Sequence, residues 1–336
     1  MSSVLTSASA SGPGFAPMTL AIRDVYASEI YFQAMPNMRW DQFATRKEEL
    51  STQPGSTIIM PKAGSLKRGG TLVEGNRIQV RSMSMSTTSL SVSEQGNAVG
   101  VTERLLQTSF FDNMAMATML LGRDLAIVLD LQLRDAALTT TNKVYANGKA
   151  SRNSLTANDV LGTREVYAMS AQLETQAAPK WNQDFYVCFI HPRQAYSLRQ
   201  APGWVNVNTY GIRDGGMAGS LFTGELGRFN DMRFISTMVM PNGANSTVDS
   251  TTGDYADPGY TAALDPVATG ALGTTVYQAI AFGEYTFGHA VATPVELRDN
   301  GVADFGREHA LAWYAIWGSG ILEANNAVIC ESAAFV

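Results

Sequence analysis

Charge is scarce in this sequence: Lys, Arg, Asp and Glu make up only 16% of 336 residues, against 45% apolar side chains. A soluble domain carries about 25% charged residues, so about thirty charges are missing, and Ser, Thr, Gly, Asn and Ala stand in their place. Disordered chains are charge-rich and apolar-poor, so disorder is excluded for the chain as a whole. Cysteine is nearly absent as well. Cys188 and Cys330 lie in the apolar stretches YVCFI and AVICE, where they read as reduced core thiols, and no disulfide scaffold is possible. Long apolar runs are missing too. Met114 to Leu133 is broken by Arg123, Asp124 and Asp130, and 310–322 is too short to span, so no membrane segment is expected. The first twenty residues lack a basic region and an apolar core, which argues against a secretory signal and for a soluble cytoplasmic product. A basic excess is also lacking. A net charge of -6 does not suit a surface built to grip phosphate backbone, although nucleic acid can be a neighbour without being a ligand.

Chemistry-bearing motifs are absent in turn. The three histidines, His191, His289 and His309, sit in or beside apolar strand patterns with no metal-ligand spacing and read as structural. No phosphate-binding loop, dinucleotide fingerprint, nucleophile elbow, zincin or paired-cysteine motif occurs. The glycine cluster GGMAGS lacks the following Lys and the strand-to-helix context of an anion cradle. Asp249, Asp254, Asp257 and Asp265 match no EF-hand spacing and read as a solvated acidic loop. No catalytic residue, cofactor or metal is expected. Met114, Met116 and Met119 read as helix packing.

What is present is an ordered series of elements. Residues 1–23 are rich in Ser, Ala, Gly and Pro and read as an extended arm. Ser56 to Met60 and Val80 to Glu94 read as strands flanking a glycine-rich tip, AGSLKRGGTLVEGN, as in a long β-hairpin. Its apolar parity slips by one at Thr87-Thr88, which predicts a bulge or sharp twist there. So few large side chains cannot hold the hairpin up alone, and it is expected to lie on another surface. Residues 113–138 contain no proline and predict a helix of about 26 residues, about 40 Å long, apolar around most of its circumference. A second helix is expected from Thr156, with Asp159 in its first turn. Asp184 to His191 predicts a strand that runs into a helix with Pro192 at its first position. Arg228 to Met240, Val276 to Phe282, Ala310 to Trp317 and Ala327 to Cys330 read as further strands, with a long loop at 241–273. Helices and strands do not alternate regularly, so the class is α+β.

Charge is also segregated. Lys62, Lys67, Arg68, Arg77 and Arg81 in the hairpin face only Glu74, while no Lys or Arg occurs between Arg233 and Arg298. A basic protrusion and a separate acidic half, including Asp254 and Asp257, suggest head-to-tail pairing of identical subunits. We expect inter-subunit contacts at Lys62, Lys67, Arg68, Glu74, Arg77, Arg81, Asp124, Asp130, Asp254 and Asp257.

The order of arm, glycine-tipped hairpin, one very long helix, α+β middle and terminal strands resembles the major capsid proteins of tailed bacteriophages, the Hong Kong 97 type fold. FYVCFIHPRQAYSLRQAPG is similar to that family's strand, His-Pro-Arg turn and short helix, and REHALAWYAIWGSGILEANNAVICES looks like its closing strands. The resemblance implies an N-terminal arm at 1–48, an E-loop with flanking strands at 49–104, and a spine helix with the P-domain/A-domain junction at 105–178. It further implies an A-domain at 179–292 and closing P-domain strands at 293–336. It implies a non-enzymatic virion subunit, made in the bacterial cytoplasm, that forms hexamers and pentamers of an icosahedral shell around double-stranded DNA. The E-loop would overlap a neighbouring subunit. A separate scaffolding protein is expected, since no long helical segment precedes the arm, together with a portal and in some shells a decoration protein. The founding member's Lys-Asn weld is not expected, because Glu308 or His309 and Ala315 stand where its asparagine and assisting glutamate belong. Two other readings stay open: an encapsulin-type nanocompartment shell, and an α+β hydrolase or ligand-binding protein with its site in the 241–273 loop.

Overall fold

The computed structural model describes residues 39–51, 55–64, 66, 68–71, 74–75, 77–78, 80–108, 113–207, 222, 224–237, 240 and 276–334. In chain order the strands are β1 (Thr45–Lys47), β2 (Thr57–Ala63), β3 (Met85–Ser91) and β4 (Ser93–Thr102). Then come helices α1 (Glu103–Thr108) and α2 (Asn113–Leu138), strand β5 (Lys143–Tyr145), α3 (Thr163–Thr175), β6 (Tyr186–Ile190), α4 (Pro192–Arg199) and β7 (Val205–Asn206). The chain closes with β8 (Glu225–Phe229), β9 (Met232–Ser236), β10 (Tyr277–Phe282), β11 (Phe287–Ala303), β12 (Glu308–Ile321) and β13 (Ala327–Ser332).

Two sheets and the long helix make the core. In the seven-stranded sheet, ordered β5-β13-β10-β6-β9-β8-β7, the central strands β13, β10 and β6 are buried on both faces. These strands therefore read as continuous apolar runs, as YVCFI does. The period of two divides each strand between two cores. Tyr186, Cys188 and Ile190 of β6 pack with Val166, Met169 and Leu173 of α3 and Leu198 of α4, whereas Val187 and Phe189 face the larger core under α2. Trp40, fully buried, stacks on Phe189 with ring centroids 4.1 Å apart.

Helix α2 lies on the four-stranded sheet β1-β11-β12-β4 through Ala117, Leu121, Leu125 and Leu129. Trp313 and Trp317 of β12 stack in parallel beneath it at 5.5 Å. Their indole N–H groups donate to Asp124 at 2.9 Å and to Gln132 at 2.6 Å. The polar residues of an otherwise apolar helix are thus the acceptors that let two tryptophans be buried.

Helix α2, the β6 strand and the Pro192 helix stand where the sequence predicts them. Other expectations change. Helix α3 begins at Thr163 rather than Thr156, because Asp159 accepts bonds from the backbone N–H and hydroxyl of Thr156 at 2.8 and 2.9 Å and closes a separate turn. The expected single strand Arg228 to Met240 is a tight hairpin, β8 and β9, turning at Asn230 with φ 52°. Strand β11 is absent from the strands read from local pattern, although the family resemblance implies strands in this region: it carries Pro294 and three register shifts against β12, which scramble any period-two signal. No bulge occurs at Thr87-Thr88. Strands β2 and β3 pair without interruption from Thr57↔Ser91 to Ala63↔Met85. The parity slip arises because Met83 and Met85 face solvent while Leu90 faces inward.

Candidate assembly surface

Strands β2 and β3 form a two-stranded arm separate from both sheets. Only its base has a core, in which Ile58 and Leu90 meet Ala290 and Leu322. Beyond the base, Ile59, Leu66, Ile78, Val80, Met83 and Met85 are all exposed, Val80 to 94%. A two-stranded ribbon this bare is not stable alone in water, and that many large apolar side chains on one projection mark a contact surface. Arg68, Arg77 and Arg81 are exposed beside them with Glu74, and among the described residues none of these arginines pairs with a carboxylate of its own chain.

A second bare surface lies on α1 and the N-terminal half of α2. Leu105, Met116, Met119 and Leu120 are about half exposed, and the last three follow the i, i+3, i+4 spacing of one helix face. The expectation that the three methionines are packing residues holds only for Met114, which lies against the core. A third exposed group is Phe305, fully exposed at the turn between β11 and β12, where Asp304 and Phe305 both adopt positive φ of 46° and 55°. The sequence offers a faint signal for it, an Asp-Phe-Gly between two strand-forming stretches.

The residues expected at interfaces divide into three groups. Arg68, Glu74, Arg77 and Arg81 are exposed on the arm. Lys62 is held within its own chain by Glu323, at 2.7 Å, and by the Leu322 carbonyl. Asp124 and Asp130 each have partners inside the subunit. Asp124 Oδ2 accepts from Trp313 and from Asn97 at 3.0 Å. Asp130, 4% exposed, takes the backbone N–H of Arg39 at 3.0 Å and of Trp40 at 2.9 Å on one oxygen, so it fixes the point where the chain enters the core. Burial raises its pKa from an ordinary 3.8 to about 6, against the pull of those two N–H groups and of Arg39 and Arg134. Lys67, Asp254 and Asp257 lie outside the described residues, as does the 241–273 loop.

Among the described residues no cluster of His, Cys, Asp or Glu could hold a metal ion, and no helix is long and apolar enough to cross a membrane. His191 caps α4, its Nδ1 accepting the Arg193 N–H at 3.2 Å, and burial together with the Arg193 charge pushes its pKa down to about 4. His289 is buried with Nδ1 3.7 Å from Asp41.

This architecture recurs in shell subunits. The chain superposes on the capsid of Ralstonia phage GP4 with a TM-score of 0.65 at 16% identity, covering 88% of each chain. On the capsid of cyanophage Pam1 it scores 0.62 at 15% identity over 87% of this chain and 88% of that one, and on the capsid of cyanophage P-SCSP1u 0.60 at 14% identity over 87% of each. The fold is the Hong Kong 97 type of tailed-phage capsid subunits. Residues 128–327, more than half of the sequence, match the phage capsid protein family, and the chain belongs to that family. No curated protein matches it in sequence. It is a structural, non-enzymatic major capsid protein whose copies build an icosahedral virion shell, which decides against the nanocompartment and hydrolase readings.

Proposed function

We propose that the shell is tiled by hexamers and pentamers of this chain, in which the arm at 55–91 acts as an E-loop laid over a neighbouring copy. The observation that supports this reading is the row of exposed apolar side chains on the arm, Ile59, Val80, Met83 and Met85, with no cover from the subunit's own described residues. Burying them against a second copy removes apolar surface at about 25 cal/mol per Å². Methionine on the arm and on α2 suits a contact that must repack between five-fold and six-fold settings, because its unbranched side chain adapts to irregular gaps. Unlike surfaces on one subunit pair head to tail and close into rings. The segment boundaries 1–48, 49–104, 105–178, 179–292 and 293–336 serve as arm, E-loop, spine junction, A-domain and closing strands. A separate scaffolding protein, a portal and a decoration protein complete the particle, packaged double-stranded DNA is a non-specific neighbour of an acidic subunit, and synthesis is in the bacterial cytoplasm. The test is a photo-crosslinking residue in place of Met85 in assembled particles. Adducts to a second copy are expected, and adducts confined to the same chain would refute the reading.

A further inference from the structure

The arm is bolted at two points, and each bolt is built differently. At the base, the Leu90 side chain lies against two glycines of the underlying sheet. A Cβ added at Gly320 would stand 2.6 Å from Leu90 Cδ2, and one at Gly288 3.1 Å from Leu90 Cδ1. At Gly318 an added Cβ would come within 1.9 Å of the Ser91 carbonyl oxygen, so here the arm's backbone lies directly on β12. These contacts fix where the arm starts. Contacts clustered at the base of a ribbon hold its far end only weakly, because a small rotation at the base swings the tip through a large arc.

The second tie comes from four residues further along β2, about 13 Å along the strand at 3.3 Å per residue, and reaches back to the turn whose Leu322 side chain belongs to the base. There Lys62 Nζ donates to the Leu322 carbonyl and to Glu323 Oε2 at 2.7 Å, and Thr88 of the partner strand reaches the same carbonyl at 3.4 Å. Both strands of the arm are thereby tied to one turn, the segment joining β12 to β13. We propose that Lys62 and Glu323 are positioning residues that set the direction in which the arm leaves the subunit and so present it to its neighbour. This rests on the reading that the arm contacts another copy.

An ion pair suits this task better than a further apolar contact. Both side chains are about one-third exposed, at 35% and 36%, and water-accessible pairs are weak and exchange readily. The base stays rigid while the direction can yield from one ring setting to another.

Charge reversal tests it. Lys62→Glu and Glu323→Lys should each slow shell assembly about tenfold, since attraction becomes repulsion at the joint, with subunit melting temperature unchanged. The double reversal K62E/E323K restores the ion pair with its sign inverted, although a carboxylate at 62 cannot donate to the Leu322 carbonyl, so assembly should recover to within about threefold of wild type. Single variants that assemble at the wild-type rate, or a double variant no faster than the singles, would overturn the proposal. Deleting residues 64–84 separates this from the reading beneath it. If the deletion abolishes assembly while K62E does not affect it, the arm contact stands and the positioning role falls. If the deletion leaves assembly intact, the arm contact itself is wrong and the positioning role goes with it.

Discussion

Asp130 makes a demanding test of how the interior is organised. Its carboxylate is a buried charge held by two backbone N–H groups, and its pKa stands at about 6 against 3.8 for an ordinary aspartate. At 1.36 kcal/mol per pKa unit this corresponds to about 3 kcal/mol. Because the folded state binds the proton more tightly than the unfolded one, the contribution is fully present below about pH 4 and is lost as pH rises through about 6. Asp130→Asn keeps an oxygen that can accept from Arg39 and Trp40 but removes the charge. It should match wild type near pH 4 and exceed it by about 1–3 kcal/mol at pH 7.5. Asp130→Ala leaves two buried N–H groups without an acceptor, and should be less stable than the Asn variant by about 2–4 kcal/mol at every pH. Urea unfolding of the unassembled subunit, followed by tryptophan fluorescence between pH 4.5 and 8, reads both differences. A wild-type-minus-Asn difference that stays flat with pH, or Asn and Ala variants of equal stability, would refute the reasoning.

Three further outcomes are expected. Gly318→Ala places a methyl group against a backbone carbonyl that cannot swing aside. It should cost about 1–3 kcal/mol in thermal unfolding and open residues 55–91 to protease, and a variant as stable and resistant as wild type would contradict the close approach. Burial alone would raise the pKa of Glu331, but Arg152, bonded through two nitrogens, and Lys143 outweigh it and hold the carboxyl below its ordinary value. Its contribution is present above about pH 4.5 and lost as pH falls, and Glu331→Gln should lose about 3 kcal/mol at pH 7 and flatten the acid limb of the stability profile. Burial pushes the thiol pKa values of Cys188 and Cys330 up, so neither should react with a thiol reagent in the native subunit at pH 8; mass spectrometry showing rapid native labelling would exclude their core placement.

Elements with an uninterrupted local pattern were legible. The 26 residues of α2 contain no proline and stand between polar segments, and that continuity places the helix. Strand β6 and the Pro192 helix follow from an apolar run meeting a residue that suits a helix start. Strand β11 was not legible from local pattern, because Pro294, glycines and three register shifts break the alternation that announces a strand. The parity slip at Thr87-Thr88 misled for a related reason: Met83 and Met85 look like core residues, yet the subunit leaves them outside. Apolar content shows that a side chain will be covered, not whether its own chain or another copy covers it.

The charged residues mark the same division. The sequence by itself determined the shortage of charge, the segregation of what remains, the helix and strand order, and through that order the capsid family. Only the tertiary structure decided which charges find partners inside the subunit and which stand exposed. Asp130 meets Arg39 across 91 residues of chain, and Lys62 meets Glu323 across 261. Periodicity reports a residue's neighbours within a turn or a strand, whereas an acceptor for a buried N–H or a carboxylate for an exposed ammonium is chosen by packing between distant segments. The scarcity of charge thus has two parts: Asp124 and Asp130 are drawn into the subunit, while Arg68, Arg77 and Arg81 stand exposed on an arm whose direction is set by the Lys62–Glu323 pair.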